Sequence, residues 1–273
     1  MTVAQWDRFT QKCPAHAQGE QGMKIVVIGG SGLIGSKVVA ILTQQGHQAL
    51  PASPKSGVNT LTGEGLAKVL EGAAIVVDVS NSPSFEKAAA MEFFTVSTRN
   101  ILDREAAARV KHHVALSVVG SERLLESGYF PAKIAQEKMI KESSIPYSIV
   151  RATQFFEFVK GIADDATDGN TVRVPRALIQ PIAADDVAKE VCRIAVGAPV
   201  NGMVEVGGPE KFRFDALIGL SLKAHNDRRQ VVADPQARYF GATLGERTLV
   251  AGDNARLGET RFEDWLSRSI PQG

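Results

Sequence analysis

A chain that runs from an unbroken β-branched segment straight into closely spaced glycines, and from there into helical periodicity, has few folds open to it. Residues 23–46 do this. Ile25-Val26-Val27-Ile28 reads as a central parallel strand covered on both faces. The next seven residues satisfy two overlapping patterns, GxGxxG at Gly30, Gly32 and Gly35 and GxxGxxG at Gly29, Gly32 and Gly35. Val38, Val39, Ile41 and Leu42 then recur at helical spacing up to Gln45, and Gly46 marks the stop. The N–H groups that open such a helix have no intrahelical acceptor and carry partial positive charge, and glycines let a pyrophosphate come close to them. This predicts a dinucleotide site formed by Gly29, Gly30, Ser31, Gly32, Leu33, Ile34 and Gly35.

Strand and helix keep alternating beyond that point. Residues 47–52, 74–79, 114–118 and 147–151 read as strands, separated by helices over 63–70 (signalled by Thr62), 85–110 and 133–142. The pattern implies an α/β fold with a Rossmann-type, doubly wound parallel sheet. Residues 171–174 and 177–182 are shorter strand candidates, Asp185 and Asp186 open a further helix, and 203–206 read as the sheet's last strand. The amphipathic segment 214–224 and the aromatic turn 262–266 complete the chain. The expected organisation is a disordered extension over 1–22, a dinucleotide-binding core over 23–155, and a remaining strand plus a small C-terminal substrate lobe over 156–273.

Composition narrows the function classes. A chain of 273 residues, 44% hydrophobic, can bury a full core. Its net charge of +1 gives no reason to expect a nucleic-acid partner. With only Cys13 and Cys192, neither a disulfide framework nor a cysteine metal cluster is supported, and Cys192 fits a helical core position. His112 and His113 are adjacent, lack metal-ligand spacing and read as a solvated loop. No metal is expected. The first 22 residues have no apolar core of the kind a signal peptide carries, and no membrane span is legible, so a cytoplasmic protein acting on a small molecule is expected.

The dinucleotide can be specified further. NAD sites of this type place an acid about 20 residues past the glycines to hold the ribose 2′-hydroxyl, where it would repel a 2′-phosphate. Residues 47–56 contain no carboxylate but offer Ser53, Ser56 and Lys55. Those groups suit a phosphate, and the expected cofactor is NADP (NADPH). Ser80 and Asn81 end the third predicted strand at the edge where ligands collect, which makes them cofactor contacts as well.

With Ser117 closing a strand and Tyr129-Phe130-Pro131-Ala132-Lys133 spelling YxxxK, the chain resembles the short-chain dehydrogenase/reductase superfamily. More narrowly, it is similar to the atypical, NmrA-like branch of NAD(P)-binding proteins. The resemblance runs from about residue 23 to the C-terminus, through the glycine motif, residues 78–83, 98–102, Ser117, Tyr129, Lys133 and 151–156. It implies that Tyr129 is the general acid and base, that Lys133 lowers its pKa and holds the nicotinamide ribose, and that Ser117 hydrogen-bonds the substrate oxygen. Two features depart from the family. Pro131 favours a helix start that leaves Tyr129 outside the helix, and Phe94 stands where extended relatives carry a relay asparagine. A surface ion pair of Lys133 with Glu137 is the competing reading for that lysine. Gln154, Phe155 and Phe156 follow a strand aimed at the nicotinamide and are expected to line the substrate pocket. The expected function is an NADP-dependent oxidoreductase moving hydride to or from a small carbonyl or enone. The alternative is a non-catalytic NAD(P)(H)-binding redox sensor.

Overall fold

The buried run that opens the chain lies in the interior of a parallel sheet. A computed structural model describes residues 22–269, so the expectation placed on residues 1–22 falls, but for Gly22, outside the described residues. Strand β1 (Lys24–Ile28) leads through helix α1 (Leu33–Gln44) to β2 (Gln48–Ala52). Next come α2 (Leu66–Leu70), β3 (Ile75–Asp78), α3 (Lys87–Ala108), β4 (His112–Val118), α4 (Phe130–Glu142) and β5 (Tyr147–Ala152). The second half runs α5 (Val159–Asp165), β6 (Thr167–Asp168), β7 (Thr171–Val174), β8 (Leu178–Ile179), α6 (Ala184–Ala195) and β9 (Gly202–Gly207). It ends with β10 (Phe212–Arg213), α7 (Phe214–Ala224), β11 (Gln230–Ala233), β12 (Arg256–Leu257) and α8 (Phe262–Ser269).

The main sheet has seven strands in the order β2-β1-β3-β4-β5-β9-β12, all parallel. From β1 the chain steps outward to β2 and then crosses back to β3 on the other side of β1. The winding therefore reverses between β1 and β3, and open sheets bind ligands outside the carboxyl ends of such a pair. Alternation along β1 gives each face its own core. Ile25 and Val27 pack with Val38 and Leu42 of α1 and Val187, Val191 and Cys192 of α6, while Val26 and Ile28 pack with Leu66 and Leu70 of α2 and Ile101 of α3. Each such fully buried aliphatic contributes about 1.5–3 kcal/mol relative to exposure. A further core, around Phe156, Phe214, Tyr239 and Phe262, belongs to the second half. Pro51 lies in the edge strand β2, where a missing N–H costs no ladder bond and discourages pairing with another chain.

Four local readings need correction. The helix expected over 63–70 shrinks to α2, because Gly63 and Gly65 adopt left-handed φ values of 78° and 73° ahead of it. Residues 203–206 do not end the sheet: β12 adds in parallel beyond β9, with Arg256 opposite Val206. The expected strand 177–182 reduces to the two-residue β8. Strand β4 begins at His112, so the two histidines are buried and not in a solvated loop. Both are partnered there: His113 Nδ1 lies 2.8 Å from the Glu105 carboxylate of α3, and His112 meets the Ser148 hydroxyl and the Ala195 carbonyl. Among the described residues no helix is long and apolar enough to cross a membrane.

Candidate dinucleotide and substrate site

The glycine turn is built by close backbone contact. Gly29 has φ 77°, and a Cβ there would stand 2.9 Å from the Ser80 backbone. At Gly35 a Cβ would meet the Gly29 carbonyl oxygen at 2.2 Å, and at Gly30 it would meet the Pro51 Cα at 2.6 Å. The turn is pinned by Gly29 N–H donating to Ala52 (2.9 Å) and Gly32 N–H donating to Gly29 (2.9 Å). Ser31, Leu33 and Ile34, by contrast, offer N–H groups with no acceptor among the described residues, and α1 has neither a side-chain cap nor an acid in its first turn. The positive end of α1 is therefore uncompensated and faces the crevice.

The crevice floor follows from β3. Buried Asp78 accepts the Ser80 N–H (3.0 Å) and hydroxyl (2.6 Å), which fixes the chain as it leaves the sheet. On the other side, the Ala52 carbonyl bonded to Gly29 places Ser53 and Lys55 beside the turn. Ser53 is buried, and its N–H donates to the Ser56 hydroxyl (2.9 Å), which is thereby engaged locally. Lys55 is exposed, with no carboxylate partner among the described residues.

Around the YxxxK segment the structure separates what the resemblance joins. Tyr129 is the residue before α4, as Pro131 requires, and its hydroxyl donates to Asn81 Oδ1 at 2.7 Å. Lys133 is 2% exposed, and its ammonium donates to the Leu116 carbonyl (2.9 Å) and to Gln136 Oε1. No hydrogen bond joins the ammonium to the Tyr129 hydroxyl; the two residues are linked only by the backbone, Lys133 N–H donating to the Tyr129 carbonyl (3.3 Å). Phe94 touches both: its ring packs edge-on to Tyr129, 5.6 Å between centroids, and takes the Lys133 ammonium 4.3 Å from its centre. Ser117 also turns inward, donating to Glu137 Oε1 at 2.7 Å. Glu137 does not pair with Lys133 at the surface. Buried, it receives Arg151 from β5 through two hydrogen bonds of 2.8 and 2.7 Å.

These surroundings set the titration of each group. Burial pushes the Tyr129 phenol above its ordinary value, with no cation to bring it down, so it stays protonated at neutral pH. Burial lowers Lys133 to about 8, against the attraction of Asp78 and Glu137. For Glu137 burial would raise the carboxyl, but Arg151 and Ser117 outweigh it and hold it below its ordinary value. The Lys133 shift has a stability consequence. Between its folded value near 8 and its ordinary 10.5, the unfolded chain keeps a proton that the folded chain releases, so stability rises with pH across that window. Relative to Lys133→Met, the wild type should gain about 2 kcal/mol of unfolding free energy from pH 7.5 to 10, read by urea denaturation.

The expected substrate wall divides. Phe156 is 2% exposed and packs on Phe262 and Trp265, so it is core; Phe155 is half-buried and stacks on the exposed Phe158 at 5.5 Å. Aromatics that sequence reasoning missed complete the surroundings of Tyr129. Phe85, 55% exposed, lies 5.1 Å from its ring and stacks on Phe240 at 5.7 Å and 11°, while Tyr239 packs against Phe130 and Phe214. Two shallow grooves near β12, one lined by Lys211 and Asp253 and the other by Arg193 and Arg256, lie across the sheet from the glycine turn.

No family model matches the chain. The photosystem II assembly factor Ycf39 of Cyanophora paradoxa is 23% identical over 153 residues, 51% of this chain and 48% of that protein, so the match spans about half of that relative's length. Among solved structures, a short-chain dehydrogenase/reductase superfamily protein of Agrobacterium tumefaciens with bound NAD superposes with a TM-score of 0.68 at 18% identity, over 90% of this chain and 95% of that one. The chain has the same Rossmann-like α/β fold as that protein. Within that fold, similar agreement extends to the dTDP-glucose 4,6-dehydratase DesIV of Streptomyces venezuelae, solved with NAD and TYD (TM-score 0.69, 16% identity, 90% and 95% covered). It extends also to the UDP-glucose 4-epimerase of Thermotoga maritima, solved with UDP-glucose (0.68, 16%, 89% and 96%). The residues present fit a dinucleotide: unpaired N–H groups point from the turn, and the space a Cβ would fill at Gly29 and Gly35 is already taken by backbone.

Proposed function

We propose that the chain is an NADP(H)-dependent oxidoreductase reducing a small, largely apolar carbonyl or enone. The observation that carries the proposal is the uncompensated N-terminus of α1 at the switch point, with Tyr129 across the same crevice on Asn81. Gly29–Gly35 and Ser80 would hold the pyrophosphate and adjoining ribose, and Lys55 the 2′-phosphate. A nicotinamide coenzyme bound there supplies the hydride. Tyr129, protonated at neutral pH, is suited to donate a proton to the developing alkoxide, the step that carbonyl reduction needs. Aromatics around Tyr129 exclude water and suit an apolar substrate. A nucleotide-sugar substrate fits less well: Arg173, Arg213, Arg229, Arg238, Arg247, Arg256 and Arg261 each stand beside a carboxylate, which leaves Arg176, Arg228 and Arg268 as the arginines after residue 156 with no such partner among the described residues.

One observation favours the sensor reading, namely that Ser117 and Lys133 spend their polar groups on Glu137, Gln136 and Leu116 and not on Tyr129. Turnover separates the two. An enzyme consumes NADPH with a member of a carbonyl panel; a sensor binds oxidised and reduced coenzyme unequally without consuming either. For the coenzyme preference, Lys55→Glu should weaken NADPH binding about 10- to 100-fold and change NADH binding less than threefold, by calorimetric titration. Equal wild-type affinity for the two coenzymes would remove the preference.

A further inference from the structure

Four non-glycine residues among the described residues carry a positive φ, and three have ordinary reasons. Arg109 caps α3, while Asn201 and Asn226 are asparagines, which tolerate the left-handed region. Phe240, at φ 45°, is the exception, because a bulky aromatic is strained there. It is the first central residue of a two-residue hairpin, closed by Tyr239 N–H donating to the Ala242 carbonyl (2.8 Å) and Ala242 N–H donating to the Tyr239 carbonyl (3.0 Å); Gly241 follows at φ 84°. A turn with both central residues at positive φ favours Asn-Gly, Asp-Gly or Gly-Gly. Burial does not account for the departure, since Phe240 is only half-buried.

The hairpin is held firmly in this strained form. Tyr239 is buried against Phe130 and Phe214 and beside Gln154, itself 7% exposed. Arg238 donates to Glu126 (2.7 Å) and to the Gly241 carbonyl (3.0 Å), and the Thr243 N–H reaches the same Glu126 oxygen (3.2 Å). Ser127, next to that carboxylate, accepts the Tyr129 N–H (3.3 Å). One short stretch, 126–129, therefore ties down the hairpin and carries the phenol. What the hairpin delivers is the Phe240 ring, stacked on Phe85 at 5.7 Å and 11°, while Phe85, 55% exposed, lies 5.1 Å from the Tyr129 ring.

We infer that Phe240, with Phe85, is a specificity-determining platform on which a flat aromatic group of the substrate stacks while the substrate carbonyl meets Tyr129. This rests on the oxidoreductase reading above. The open part of Phe85 is aromatic surface that the fold leaves uncovered beside the phenol, and offset stacking rewards a flat partner over a puckered one of equal bulk. An asparagine in the turn would relieve the strain but supply no ring, so the position of Phe240 is explained by what the ring meets beside Tyr129.

The test uses the full chain with NADP+ in place, so that nothing is reduced, and two ketones of nearly equal bulk, benzylacetone and its cyclohexyl analogue. Wild type should bind the phenyl ketone about fivefold tighter. Phe240→Asn should bring that ratio within about twofold, leave NADP+ affinity within about twofold, and melt no lower than wild type, because it gives the turn its favoured Asn-Gly pair. Phe85→Leu, at an exposed position, should narrow the ratio in the same way. The inference is overturned by a wild type that binds neither ketone or shows no preference, or by an unchanged ratio in either variant. A fall in NADP+ affinity in Phe240→Asn overturns it too, by giving the platform to the coenzyme, as does a lower melting temperature, which would make the ring a clasp of the fold. Failure of the oxidoreductase reading would show separately, as no NADPH consumption with any carbonyl or no coenzyme binding to wild type, and the ketone ratio, a binding measurement, is then read on the free protein.

Discussion

Gly35→Ala should abolish measurable coenzyme binding and destabilise the fold, because its methyl group would lie 2.2 Å from the Gly29 carbonyl oxygen and 2.7 Å from the Gly30 Cα. Both atoms are backbone, and the turn that contains them is anchored to Ala52, so the strain cannot be relieved by a rotamer change. An overpacked site of this kind costs about 1–3 kcal/mol in stability. Loss of binding through misfolding alone is separated by Leu33→Asp. Leu33 is partly exposed at the first position of α1, where a carboxylate favours the helix by about 0.3–1 kcal/mol but repels a pyrophosphate. The aspartate variant should therefore melt no lower than wild type while binding NADPH at least tenfold more weakly. Undiminished binding in that variant, measured by calorimetry, would mean that the unpaired amides of α1 do not hold the phosphates.

Tyr129→Phe should lower kcat with an accepted carbonyl by about 100-fold or more and leave the coenzyme Kd within threefold, since a positioned proton donor contributes about 10²–10⁴. The fold should survive, because only one hydrogen bond, to Asn81, is lost. With the phenol raised by burial, the donor stays protonated, and its own ionisation should not limit the rate anywhere below about pH 10. Steady-state NADPH oxidation across pH 6–9 tests both points. Full turnover in the variant would remove Tyr129 from the chemistry and leave the sensor reading in its place.

The strand, glycine turn and first helix were legible because each rests on local physics: β-branched residues in a strand, glycine where backbone meets backbone, and a 3.6-residue period. The same is true of Tyr129 lying outside α4, which Pro131 dictates. The polar interior of α4 was harder to read. Lys133, Gln136, Glu137 and Ile140 share one buried face, a spacing of 3, 4 and 7 that marks a core stripe, yet three of the four are polar and so resemble a solvated surface. Their partners Asp78, Leu116, Ser117 and Arg151 come from three different strands, and no sequence window contains them together. The strand start at His112 was hidden in the same way: a histidine pair suits a strand interior only once Glu105, Ser148 and Ala195 are brought to it by α3, β5 and α6. Strand β12 is two residues long and takes its place from register with β9, not from any pattern of its own.

The run of bonds from Ser80 through Asp78 and Gln136 to Lys133 has a mechanical side. Lowering the crevice floor would strip acceptors from a buried ammonium, so the base behaves as a fixed bed. Beside that bed, Phe85 lies against the Tyr129 ring and stacks on Phe240, so the two halves of the chain meet there through a pair of rings. Any adjustment to a molecule settling beside Tyr129 would fall on those rings, which can rotate, and not on a strand.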